Sequence, residues 1–168
     1  HVQRGESGYF GAIVQKVGTA ELIVAHRGTE TTLRELIGDG GADASMVLLQ
    51  VNPQAADART LTRLALAIAE KLRQRGYETD VRQVGHSLGG FHAQMMAVEF
   101  GLEAETFNAY GAQGLLTRPP RPETRIVNHV RATDAVAAAN GHIGEVRIYA
   151  TPEDVRRLVP AGYLRGNL

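Results

Sequence analysis

At 168 residues the chain is long enough for one domain with a sizeable core, and 43% hydrophobic with 21% charged residues is a globular composition, not a disordered one. The 18 Lys+Arg balance the 18 Asp+Glu, so the formal net charge is zero and nothing favours nucleic acid or an anionic membrane as the main partner. The absence of Cys excludes disulfides and thiolate catalysis, and with no apolar run of about 18 residues and no visible signal peptide a soluble chain is expected, with secretion left open.

In chain order, Gly8–Val17 and Ala20–His26 read as two strands joined by a tight turn at Gly18-Thr19, the second more apolar and so deeper. The loop His26-Arg27-Gly28-Thr29-Glu30 follows a strand, where function tends to sit in α/β folds. Thr31–Ile37 spaces Leu33, Leu36 and Ile37 as one or two weakly amphipathic helical turns, and Gly38–Ala42 breaks them. Asn52-Pro53-Gln54 opens the longest helix, about Ala55 to Arg75, with Leu61, Leu64, Ala65, Ile68 and Leu72 as its apolar stripe and Gly76 as C-cap.

Tyr77–Val84 alternates as a strand, Leu88–Phe100 has helical spacing, and Glu105–Asn108 is a further short strand. The Gly- and Pro-rich stretch Tyr110–Pro122 is a loop. Arg125–Val130 and Glu145–Ala150 are strands, and Thr151 caps a short helix that has Pro152 in its first position. Strands alternating with helices predict a single α/β domain over residues 1–168, with a mostly parallel central sheet flanked by helices.

The chemistry centres on Gly85-His86-Ser87-Leu88-Gly89, a Gly-x-Ser-x-Gly between a strand and a helix. A serine on so sharp a turn needs neighbours without bulk two positions away, hence Gly85 and Gly89. The turn aims the Ser87 hydroxyl off the sheet and places the Leu88 N–H at a helix N-terminus, where a developing oxyanion is favoured. Acyl transfer then needs a base and a carboxylate to orient it, in the order Ser, Asp or Glu, His. Asp134 follows a buried strand and fits the acid, its alternative being a plain helix N-cap. His142 is the only histidine after it and so the default base, its alternative being a turn histidine before the last strand. His129, mid-strand, reads as a hydrogen-bonded sheet residue. The six histidines form no ligand-spaced cluster, so no zinc site is expected, and the reaction needs no metal or organic cofactor.

Four stretches together resemble the class 3 lipases, in the bacterial branch of that α/β-hydrolase family: Val24–Thr29, the Gly85–Gly90 elbow, Thr106–Gly111, and Val127–His129 with Asp134-Ala135-Val136. The resemblance implies an α/β-hydrolase fold that cleaves carboxylic esters of lipids, lipase or phospholipase in type, through an acyl-serine. It implies Ser87 as nucleophile, Asp134 as acid, and Thr29 with the Leu88 N–H as oxyanion hole. Thr31–Ile37 then corresponds to the lid, or is an ordinary surface helix. The departure lies in the base: in the family it comes well after the acid, and His142 resembles a separate structural histidine. The base is therefore either His142 or a residue beyond Leu168, in which case the chain is cut short at its C-terminus. The first residue, His1, and the ending Gly166-Asn167-Leu168 fit a fragment or a processed piece. The implied partners are a lipid or other ester substrate and peripheral contact with a lipid surface. The rival is a hydrolase-like binding module that lacks a base and is recognised by a partner protein.

Overall fold

The structure, a computed structural model, describes residues 1–28, 44–116, 118–160 and 162, with only the backbone described for 44–52. Seven strands form one sheet whose spatial order is their order in sequence: β1 (Val2–Arg4), β2 (Phe10–Gln15), β3 (Leu22–His26), β4 (Val81–His86), β5 (Glu103–Phe107), β6 (Arg125–Arg131) and β7 (Glu145–Tyr149). The first three pair antiparallel, and from β3 to β7 every pair is parallel. The expected hairpin and mostly parallel sheet are both present.

The crossovers α1 (Ala44–Gln74) and α2 (Leu88–Phe100) step the same way along the sheet. Because parallel crossovers are right-handed, both helices fall on one face. There α1 packs on β2, β3 and β4, and α2 on β3 to β6, the two helices touching each other. Leu22, Val24, Val81, Ala104, Ile126 and Val130 point into this layer and are buried. Among the described residues no long helix covers the opposite face. Its alternate positions carry charged and polar groups that pair across strands: Arg82 bonds Glu21 at 2.8 Å and Glu103 at 2.9 Å, Lys16 bonds Glu21 at 3.2 Å, and Glu105 hydrogen-bonds the His129 ring at 3.3 Å. Such alternation is how a sheet tolerates water on one side.

Two details of α1 differ from the sequence reading. The helix begins at Ala44 and runs through Pro53 instead of starting after it. Its buried stripe is made of Ala55, Ala58, Leu61, Ala65 and Ala69, whereas Leu64 is 38% exposed. Small side chains at helical spacing let the helix axis lie close to the sheet, and Leu64 is turned off that line. α2 is buried along Leu88–Val98 and closes on Gly101, whose φ of 70° is the left-handed C-cap that glycine favours. The short helices α3 (Ala135–Ala138) and α4 (Pro152–Leu158) flank β7, and Thr151 caps α4 as expected.

Candidate active site

Ser87 is the single residue between β4 and α2, with φ 56° and ψ −126°. A residue with a Cβ adopts such a conformation at a cost on the order of 1–3 kcal/mol, sustained by its surroundings. Those surroundings are visible. The Ser87 N–H donates to the Phe107 carbonyl on β5 at 3.1 Å, and the Ser87 carbonyl accepts from Gly90 at 3.0 Å and Tyr110 at 3.2 Å. A serine in this position normally caps the helix with its hydroxyl. Here the side chain makes no cap hydrogen bond, so the half-buried hydroxyl is left for other chemistry.

The glycines explain how the turn closes. A Cβ on Gly85 would collide with the Gly89 carbonyl, as the strand-to-helix clash argument requires. A Cβ on Gly89 would strike the His26 carbonyl, and one on Gly28 would sit 2.6 Å from the His86 oxygen, 3.2 Å from the Ser87 Cβ and 3.4 Å from the Leu88 nitrogen. The segment His26–Gly28 is thereby drawn onto the elbow beside the Leu88 N–H, at the positive end of α2. Thr29, the expected second oxyanion donor, and the Thr31–Ile37 segment lie outside the described residues.

A buried polar chain anchors this loop. The Tyr9 hydroxyl lies 2.7 Å from His26 Nδ1, and His26 Nε2 lies 2.8 Å from Gln83 Oε1. An amide oxygen only accepts, so Nε2 carries the proton and Nδ1 accepts from Tyr9. Burial holds His26 neutral, its pKa lowered to about 4, with the Gln83 bond acting weakly the other way. His92, bonded to Gln54 at 3.1 Å, is lowered to about 3 by burial and then by His26. Burial, with Asp57 adding to it, raises the Tyr9 hydroxyl. The neutral network is therefore a fixed scaffold under the elbow.

Asp134 stands three residues beyond β6, at the carboxyl edge of the sheet that also holds Ser87. Its N–H donates to the Arg131 carbonyl at 2.9 Å, and its Oδ1 accepts from the Ala137 N–H at 2.9 Å, so the N-cap role is real. His142 lies between α3 and β7. Its Nε2 is 3.0 Å from the Ala137 carbonyl, which fixes the proton on Nε2, while the buried Nδ1 has no hydrogen-bond partner among the described residues. Burial lowers its pKa, and the Ala137 bond offsets part of this. No hydrogen bond joins His142 to Asp134 or Ser87. His129 is the sheet residue expected, with Nδ1 on the Tyr149 hydroxyl at 2.9 Å and its ring stacked on Phe107 at 5.0 Å.

Two members of the site were not singled out from sequence. Asn108, just past β5, has φ 41° and accepts from the Arg131 N–H at 2.8 Å. Asp154 holds Arg131 and Thr133 from α4. The pattern Thr151-x-x-Asp154 is a readable capping box, but only the fold reveals its second set of bonds. Among the described residues no group of three or more His, Asp or Glu is assembled that could hold a metal ion.

A family model described as a phospholipase-like, Tle-like phospholipase domain matches residues 3–159. Among solved structures the chain is similar to lipase II from Rhizopus niveus, with 15% identity and a TM-score of 0.58, covering 88% of this chain and 64% of that one. It is also similar to a lipase–propeptide complex from Rhizomucor miehei, with 17% identity and a TM-score of 0.58, covering 90% of this chain and 55% of that one. At such identities the likeness is one of fold, the α/β-hydrolase arrangement. The chain spans less than two thirds of the length of either lipase. No curated protein matches the sequence.

Proposed function

This chain belongs to the family of Tle-like phospholipase domains, and from that premise we propose that it hydrolyses carboxylic esters of lipids, phospholipids first among them, through an acyl-serine at Ser87. The observation that carries the reading is the strained Ser87 backbone at a helix N-terminus with its hydroxyl uncommitted to the cap. Ser87 Oγ attacks the ester carbonyl as a histidine takes its proton. The Leu88 N–H stabilises the oxyanion, with Thr29 as the second donor that the family resemblance implies; the histidine returns the proton to the leaving alcohol, and water repeats the sequence on the acyl-serine. Asp134 orients the base, one carboxylate oxygen being held by Ala137. His142 is the candidate base. Both of its nitrogens would be engaged in a triad, so its ring must leave the Ala137 carbonyl to serve.

A fluorophosphonate probe tests this. Covalent labelling of Ser87 that vanishes in Ser87→Ala is the expected result, accompanied by release of fatty acid from phospholipid vesicles. Folded protein that takes no label would overturn the reading. That outcome would favour the second one, a hydrolase-like module recognised by a protein partner, which the engagement of His142 by Ala137 supports.

A further inference from the structure

The loop that presents Asp134 is gripped by a carboxylate for which the proposed chemistry has no use. Asp154, in the first turn of α4, is fully buried. It accepts from the Thr151 N–H at 2.9 Å and the Thr151 hydroxyl at 2.8 Å, which completes the capping box of its own helix. It also accepts from Arg131 Nη2 at 2.9 Å, Arg131 Nε at 3.1 Å and the Thr133 hydroxyl at 2.7 Å. None of these three serves the cap. All come from the short segment between the end of β6 and Asp134.

The grip extends to the nucleophile. The Arg131 N–H donates to Asn108 Oδ1 at 2.8 Å, and the Asn108 N–H donates to the His129 carbonyl at 2.8 Å. One residue earlier, the Phe107 carbonyl receives the Ser87 N–H. Asn108 holds a left-handed φ of 41° between these bonds, a conformation that persists only where the surroundings impose it. Bonds therefore run without a gap from Ser87 across β5 and β6 to Arg131, and from Arg131 and Thr133 into Asp154. A buried carboxylate bound by a guanidinium and a hydroxyl is an anchor, because charge-assisted bonds are shorter and stronger than neutral ones.

We infer that Asp154 is a positioning residue for Asp134: through Thr133 and Arg131 it fixes the acid's loop so that the Asp134 carboxylate keeps one place relative to Ser87. The inference rests on the reading that Asp134 orients the base.

Thr133→Val tests it, since valine keeps the shape and removes only the hydroxyl, leaving Asp154 paired with Arg131 and Thr151. Turnover of a soluble ester should fall about 10-fold in kcat at unchanged KM, because displacing an orienting group misaligns chemistry without weakening binding. Independently of turnover, the Ala137 N–H that bonds Asp134 should exchange with solvent about 10-fold faster, while a core amide such as that of Val24 exchanges as before. Thr133→Ser, which restores the hydroxyl, should restore both. A Thr133→Val protein with wild-type exchange at Ala137 overturns the inference whatever its activity. Asp134→Asn separates the two levels. Wild-type turnover in that variant would remove the acid's role and this inference with it. Lost turnover there, with none lost in Thr133→Val, would remove the inference alone.

Discussion

Lowering the pH from about 7.5 to about 5 should destabilise the fold by drawing protons onto His26 and His92, neither of which has room for a charge. His26 drops from an ordinary 6.5 to about 4 and His92 to about 3, burial being the main cause of each. Between those values and 6.5 the unfolded chain binds protons that the folded chain refuses. Stability is therefore complete above about pH 6.5 and is lost as the pH falls toward 4. At about 1.4 kcal/mol per pKa unit, His26 alone removes about 2 kcal/mol by pH 5 and about 3 kcal/mol in the limit. His92 adds a comparable amount, but part of its shift is His26 acting on it, so the pair together is set at roughly 3–4 kcal/mol at pH 5. Urea unfolding followed by circular dichroism should show the midpoint falling by roughly 1.5–2 M between the two pH values, for a slope of about 2 kcal/mol/M. His142, also lowered by burial, acts in the same direction. Asp154, held below the usual carboxylate range by Arg131 and its other donors, adds its own loss only at still lower pH. His26→Gln should remove about half of the effect. A wild-type midpoint that moves by less than about 0.3 M would refute the claim that two uncharged imidazoles sit beneath the elbow.

Ser87→Gly should be more stable than Ser87→Ala by about 1 kcal/mol, because glycine relieves the positive φ at a smaller cost in chain entropy; equal urea midpoints would show that the elbow holds no strain. Gly89→Ala sets a Cβ against the His26 carbonyl and should cost about 1–3 kcal/mol while slowing fluorophosphonate labelling of Ser87 at temperatures where the protein stays folded. Labelling at the wild-type rate would mean that the His26–Gly28 loop does not shape the site. Tyr9→Phe leaves His26 Nδ1 buried without its donor and should cost about 1–3 kcal/mol by the same urea assay; no loss would show that the bond contributes nothing net.

The elbow was legible because its constraint is local: two glycines around a serine, with an alternating segment before and a helical one after, determine a joint that the φ of Ser87 bears out. The α4 start was legible for the same reason, since Thr151 as cap and Pro152 in the first position both act within one turn. The start of α1 was misread because Pro53 signals a helix start when only neighbours are considered, whereas the helix runs through it. Leu64 was assigned to the stripe as an apolar residue at helical spacing, while the close-packed line is carried by alanines and Leu61. Tyr9, Gln83 and Asp154 could not be recognised beforehand. Each acts on a residue 17, 57 or 23 positions away, and such pairings exist only once the sheet has set the register. Asp134 fulfils its N-cap reading, and its reading as the acid stays a proposal, since one carboxylate oxygen can cap α3 without engaging the other.

The order of the strands has a further consequence. With α1 and α2 on one side, the other face of the sheet, among the described residues, sets opposite charges across neighbouring strands. A ligand drawn to Glu21, Arg82 or Glu103 meets cations and anions already joined. Those pairs lie at the amino ends of β3, β4 and β5, at the opposite edge of the sheet from Ser87 and Asp134.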